Sequence, residues 1–143
     1  MGEKDLVSLH KIYEEAQAMS YSENLGFNFK VDDGQFETRI DIREDGSWNK
    51  GDGKLPLIGS KMFCPDLIDF NKKKIIEYEE SAAANTGYLK AKRNKGHSEV
   101  TNKKDTDRDL YYKIAGFKLL KIWDYELKDD GLWIPKLFKF LKK

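Results

Sequence analysis

The stretch FCPDLIDFNKKKIIEYEE, residues 63–80, constrains the fold of this chain more than any other. It reads as two β-strands joined by a polar turn: Met62 to Phe70, then Asn71-Lys72-Lys73, then Lys74 to Glu80. Pairing about that turn sets Asp69 opposite Lys74, Ile68 opposite Ile75, Leu67 opposite Ile76 and Asp66 opposite Glu77. Side chains alternate between faces, so Glu79 shares the face of Asp66 and Glu77. Three carboxylates then gather at one end of an otherwise apolar hairpin. Such a cluster repels itself unless a cation sits in it, and hard divalent cations take oxygen ligands. Asp69 and Glu80 are the competitors: a one-residue slip of register would bring Asp69 to the cluster's face in place of Asp66.

A chain of 143 residues with 39% hydrophobic and 13% aromatic side chains has enough material for one domain with a real core. No apolar run approaches the roughly 18 residues that a membrane-spanning helix needs. The start, MGEKDLVSLHK, has no apolar signal core. A cytoplasmic protein is therefore expected. The lone Cys64 excludes an internal disulfide and a multi-cysteine zinc site, and His10 and His97 are too few for a histidine-rich metal centre.

The net charge of +1 hides an asymmetry. Residues 1–46 hold 11 acidic and 5 basic side chains, and the remaining 97 hold 14 acidic and 21 basic. The basic part is the part that carries the carboxylate hairpin. Lys90, Lys92, Arg93, Lys95, Lys103 and Lys104 face only one acid, Glu99, between residues 90 and 104, and the tail from Gly131 to Lys143 has four lysines and no acid. Basic segments flanking an acidic metal centre suit a polyanionic substrate.

Elsewhere, Leu6, Leu9, Ile12, Ala16 and Met19 recur at helical spacing, which predicts a helix over 5–20 capped by Asp5. Leu25 to Val31 and Phe36 to Arg43 read as strands, with a turn at Asp32-Asp33-Gly34. Glu44 to Lys54, with three glycines, reads as a loop. Residues 81–104 hold few large apolar side chains and read as a basic, mobile excursion. A helix is expected over Asp105 to Ala115, with Leu110, Tyr111 and Ile114 as its apolar stripe and Gly116 ending it. Phe117 to Tyr125 is so continuously apolar that a central strand buried on both faces is expected. A turn at Asp129-Asp130-Gly131 precedes a final amphipathic helix over Trp133 to Leu141. There is no internal repeat and no domain boundary, so residues 1–143 are read as a single domain.

With PDLIDFNKKKIIEYEE followed by RDLYYKIAGFKLLKIWDYEL, the chain resembles the PD-(D/E)XK nuclease superfamily, and within it the very-short-patch-repair-like and phage homing endonucleases. The resemblance covers roughly residues 62–127. Pro65-Asp66 matches the Pro-Asp element, Glu77 the acid eleven positions on, and Arg108-Asp109 and Gly116-Phe117 the downstream helix and strand. It implies an α/β protein with a restriction-endonuclease-like core, a mixed β-sheet flanked by helices. It also implies a Mg²⁺- or Mn²⁺-dependent endonuclease hydrolysing DNA phosphodiesters, of homing or nicking-repair type. On that reading Asp66 and Glu77 ligate the metal with help from the Tyr78 carbonyl. Glu79 adds a ligand or orients a metal-bound water. Arg108 grips a phosphate, and Lys90, Lys92, Arg93 and Lys95 track the backbone. The chain departs from the pattern at Glu79, where the superfamily often has lysine; Lys74 or Lys90 are the substitutes to consider. That departure keeps open a catalytically inactive DNA-binding module on the same fold. A double-strand cut by so small a domain implies a homodimer or higher homo-oligomer.

Several residues carry a milder reading beside the sharp one. Glu14 or Glu15 could approach the metal from the first helix, or be simply solvated. His97 could serve as an acid or base because histidine titrates near neutrality, or be a bystander. Arg108 could pair only with Asp105 or Asp109. Tyr88 could stack on a base. Trp123 and Trp133 are expected in the core, and Cys64 as a small buried hydrophobe. The C-terminal LFKFLKK is expected to dock as a helix with its lysines outward.

Overall fold

Asp5 opens the first helix as the sequence predicts: its carboxylate accepts from the backbone amides of Val7 at 3.0 Å and Ser8 at 3.3 Å. The structure is a computed structural model that describes residues 5–51, 55–81 and 106–143. Helix α1 spans Leu6–Ser22 and buries Leu9, Ile12, Ala16 and Met19 on one face.

Two sheets follow. The larger has the order β1-β5-β6-β7, formed by β1 (Lys30–Val31), β5 (Leu67–Asp69), β6 (Lys74–Glu79) and β7 (Lys118–Trp123). Strands β1, β5 and β6 are antiparallel neighbours, and β7 joins β6 in parallel, so the sheet is mixed. The smaller sheet is antiparallel, in the order β3-β2-β4, from β2 (Ile40–Ile42), β3 (Trp48–Lys50) and β4 (Lys61–Phe63). Helix α2 covers residues 106–114, α3 is Asp124–Leu127 and α4 is Asp130–Lys142. The protein is therefore mixed α/β, with one mixed and one antiparallel sheet.

The larger sheet has two covered faces. Leu67, Ile76, Tyr78, Leu120 and Ile122 join the α1 and α4 side chains in one core, around Trp133 and Leu137. Ile68 and Ile75 point the other way, into a second core with Ile40 and Ile42 of the small sheet and Tyr112, Ala115 and Phe117 from α2 and its exit. Alternation along β6 thus sends Lys74, Ile76 and Tyr78 to one side, and Ile75, Glu77 and Glu79 to the other. Gly46, at φ +89°, turns β2 into β3 against the end of α2, where a Cβ would lie 2.5 Å from the Ile114 carbonyl oxygen.

The hairpin register is as expected: Leu67 pairs with Ile76, Ile68 with Ile75 and Asp69 with Lys74. Five other expectations are corrected. The strand expected over 62–70 is two strands in different sheets, because the chain leaves β4 at Cys64-Pro65 and enters β5 at Leu67. Proline lacks the amide that a continuous ladder would need. The strand expected over 25–31 shrinks to Lys30–Val31, because the amides of Phe27, Asn28 and Phe29 donate instead to Ser20, Asp69 and Gln17 side chains. The glycine-rich loop contains β3, whose Trp48 packs on Phe70 and Phe117.

The fourth correction concerns β7. Among the described residues it is an edge strand, not a central one, and from Leu119 to Trp123 its residues alternate between half-exposed and buried. Helix α4 also begins earlier than expected, at Asp130 with Asp129 as its cap, so the predicted turn is a helix start. Gly116 ends α2 as expected, at φ +89°: its amide donates to the Lys113 carbonyl and that of Phe117 to the Tyr112 carbonyl, a Schellman pair. Among the described residues no helix is long and apolar enough to cross a membrane.

Candidate active site

Asp66 precedes β5 and Glu77 sits toward the end of β6, so the hairpin carries both carboxylates to the same end of the sheet. Both are buried, at 3% and 2% exposure. Asp66 Oδ2 accepts the Tyr78 amide at 2.8 Å, a bond that closes the hairpin beyond its last strand pair. Glu77 Oε2 accepts the Tyr112 hydroxyl at 2.9 Å, from helix α2. Glu79, two residues on and on the same face, accepts from Arg108 Nη2 at 3.0 Å.

Arg108 stands among the acids. Its guanidinium bonds Glu79 and Asp109 and lies 3.9 Å from Glu77 Oε1. Lys121 of β7, in register with Glu77, pairs with Asp109 from the other side. Arg108 and Tyr112 are one helical turn apart on α2, so a single face of that helix delivers both groups to the carboxylates. Burial opposes the Arg108 charge, but the Glu77 and Glu79 carboxylates outweigh it and hold the guanidinium above its ordinary range. Burial first, and then the Glu77 charge, push the Tyr112 phenol well up, so it stays a neutral donor. Among the described residues, neither Asp66 nor Glu77 has a buried oxygen without a partner.

A second compensated acid lies in the small sheet. Asp41 is fully buried, and Arg39 grips it with two bonds of 3.1 and 3.0 Å. Cys64 lies between the two acid groups. Burial, and then the Asp32 carboxylate, push its thiol up, which is the opposite of what a nucleophile requires.

The structure thus joins Glu77, Glu79 and Arg108 directly and holds Asp66 against the Tyr78 amide, next to Glu77 in the chain. It does not bring Lys74 or Glu15 to them. Lys74 faces the opposite side of β6, where its ammonium bonds the Phe140 and Leu141 carbonyls, so it cannot replace the motif lysine. Glu14 and Glu15 ride on α1, which packs against that same opposite face; they line a surface depression with His10 and Lys11. Lys90, Lys92, Arg93, Lys95, His97 and Tyr88 lie outside the described residues. Trp133 is core, while Trp123 is half-buried and stacked on Tyr125.

Two residues went unrecognised in the sequence. Tyr112 was hidden because Leu110, Tyr111 and Ile114 looked like the apolar stripe of α2. Leu110 and Ile114 are exposed, and Tyr112 and Ala115 are the buried pair. The spacing of Tyr112 from Arg108 was the available signal. Lys121 sits within an apolar run and has no local signal.

Among the described residues no group of three or more His, Cys, Asp or Glu side chains is arranged to hold a metal ion. The donor chemistry of Asp66 and Glu77 still fits Mg²⁺, which is commonly held by one or two carboxylates, with water and substrate phosphate completing its shell. No family model, curated protein or solved structure matches the chain.

Proposed function

We propose that the protein is a metal-dependent endonuclease that hydrolyses DNA phosphodiester bonds on a restriction-endonuclease-like core. The observation that carries this reading is the burial of Asp66 and Glu77 side by side at the end of one hairpin. Two buried carboxylates cost stability unless cations and hydrogen bonds offset them; here the Tyr78 amide, the Tyr112 hydroxyl and Arg108 offset part of that cost, and a bound cation would offset more. Asp66 and Glu77 would hold Mg²⁺, with the Tyr78 carbonyl as a further oxygen. When bound, the metal supplies Lewis acidity and a more acidic water.

The chain's own groups complete the site. Tyr112 fixes Glu77 by donating to Oε2, while Arg108 lies 3.9 Å from Oε1, the oxygen that would turn to the ion. Glu79 orients a water where lysine stands in the resembling family. Arg108 exchanges part of its contact with Glu79 for a phosphate oxygen, as a guanidinium fork suits both. Lys121 holds Asp109 and so keeps Arg108 aimed inward.

The second reading is a DNA-binding module without catalysis. Arg108 favours it, because its guanidinium already neutralises part of the cluster, and so does glutamate at position 79. A plasmid-nicking assay with Mg²⁺, Mn²⁺ or EDTA on wild type and Glu77→Gln separates the two. Metal-dependent nicking that falls by about a thousandfold or more in the variant is expected, on the scale of losing an essential catalytic group. Salt-sensitive DNA binding with no nicking under any metal would leave the binding module standing.

A further inference from the structure

The opposite end of strand β6 has the reverse charge. A cavity of about 440 Å³ opens where the β5–β6 turn, the start of β7 and the end of α4 meet. Lys72, Lys73, Lys74, Lys118 and Lys143 line it, and none of its lining residues is acidic. Leu25, Phe27 and Leu141 form its apolar wall. Gly116 is the glycine in its wall, and a Cβ there would lie 4.0 Å from the Lys73 ammonium.

The lysines are not there to neutralise acids. Among the described residues no carboxylate pairs with Lys72, Lys73, Lys74, Lys118 or Lys143. The nearby Asp69 spends its two oxygens on the amides of Asn28 and Lys72. Lys74 is buried and gives two N–H groups to the Phe140 and Leu141 carbonyls, at 2.7 and 3.1 Å. An ammonium has three donors, and beside these two bonds the Phe27 and Phe140 rings lie 5.2 Å from the nitrogen. Burial, and then repulsion from Lys118, Lys143 and Lys72, push Lys74 below the usual lysine range.

We propose that this five-lysine cavity is a binding site for the phosphate groups of an anionic ligand. Five point charges around one cavity exceed what a single carboxylate neutralises. No arginine fork lines the cavity to read a carboxylate in two-point fashion, whereas lysine binds phosphate as a point charge. The site is separate from the acidic one. Lys74 and Glu77 point to opposite faces of β6, and three to five residues at about 3.3 Å each part the two ends of the strand. Phosphate binding here therefore stands whether or not the protein cleaves DNA.

The test is run in EDTA with two probes: sodium tripolyphosphate by calorimetry and a short DNA duplex by fluorescence anisotropy. Lys72→Gln/Lys118→Gln is compared with Lys30→Gln/Lys128→Gln, which removes equal charge from exposed positions elsewhere. Lys74 is left in place because it caps α4. Circular dichroism verifies folding, and Lys73→Gln/Lys143→Gln replaces the first pair if that pair unfolds. The expected result is a loss of about tenfold or more in the cavity pair and less than about twofold in the control pair. If duplex binding shows that difference, with a salt slope smaller by about two, the phosphates belong to nucleic acid. If tripolyphosphate alone shows it, they belong to a free oligophosphate. Equal weakening in both pairs with each probe, or no binding of either probe by wild type, overturns the proposal. Glu77→Gln should bind tripolyphosphate as wild type does, so a failure of the cleavage reading remains distinguishable.

Discussion

Strand β6 is six residues long and carries opposite charges at its two ends, and the two ends solve their electrostatics differently. At the acidic end the counter-charge is built in: Arg108 sits among Glu77, Glu79 and Asp109, Lys121 backs Asp109, and the neutral Tyr112 satisfies a Glu77 oxygen. At the basic end Lys74 meets carbonyl dipoles at the end of α4 and the rings of Phe27 and Phe140, and its charged neighbours in the cavity are more lysines. The difference separates two demands. The acidic end can stand folded without a ligand because its own cations offset it, so a metal or phosphate arriving there rearranges existing contacts. The basic end has repulsion left over, so a phosphate arriving there relieves it.

Removing the inner cation breaks the comparison most severely. Arg108→Ala leaves Glu77 and Glu79 facing each other and should cost about 3 kcal/mol in chemical denaturation, the scale of a buried ion pair that loses one partner. Added Mg²⁺ should then raise the melting temperature of the variant more than that of wild type. An equal response in both would mean that the carboxylates do not take up a divalent cation.

At the other end, Lys74→Met should cost about 1–2 kcal/mol. It removes two hydrogen bonds from a charged donor to the α4 terminus but also a buried charge. A larger loss would make Lys74 the main fastening of α4.

Tyr112→Phe should have the smallest effect near neutrality, about 1 kcal/mol for one buried hydrogen bond. Its pH signature is sharper. Because the folded state holds the phenol above its unfolded range near 10, Tyr112 contributes stability that is fully present below that pH. The contribution is lost as pH rises toward the folded value, since the unfolded chain gives up its proton first. Wild type should therefore lose stability above about pH 10 more steeply than the variant, as read from denaturation midpoints across alkaline pH.

The parts that were legible in the sequence are those governed by local rules. Ile68 opposite Ile75 and Leu67 opposite Ile76 follow from a short polar turn and period-two alternation, and Asp5 and Gly116 mark helix ends by their own chemistry. What escaped depends on what lies above a surface. The apolar run of β7 looks central because both its faces are covered, Leu120 and Ile122 by α1 and α4, Leu119 by the second core, although among the described residues only one edge has a strand beside it. Trp48-Asn49-Lys50 is too short to show a period, so β3 was lost among glycines and charges. Within the candidate site, Asp66, Glu77, Glu79 and Arg108 were visible as residues. The position of Arg108 among three acids was not, because the choice among those partners is made by the docking of α2.

The passage from β4 to β5 bears on how the molecule could be taken apart. Only Cys64, Pro65 and Asp66 separate the last residue of the small sheet from the first residue of the β5–β6 hairpin. The exit of one sheet is thus the entrance to the acidic cluster. Adding or deleting one residue in that joint would turn Asp66 toward the wrong face or pull it out of reach of the Tyr78 amide. The small sheet is therefore not a cassette that can be exchanged while the rest is kept: its geometry is written into the position of a carboxylate that belongs to the other sheet.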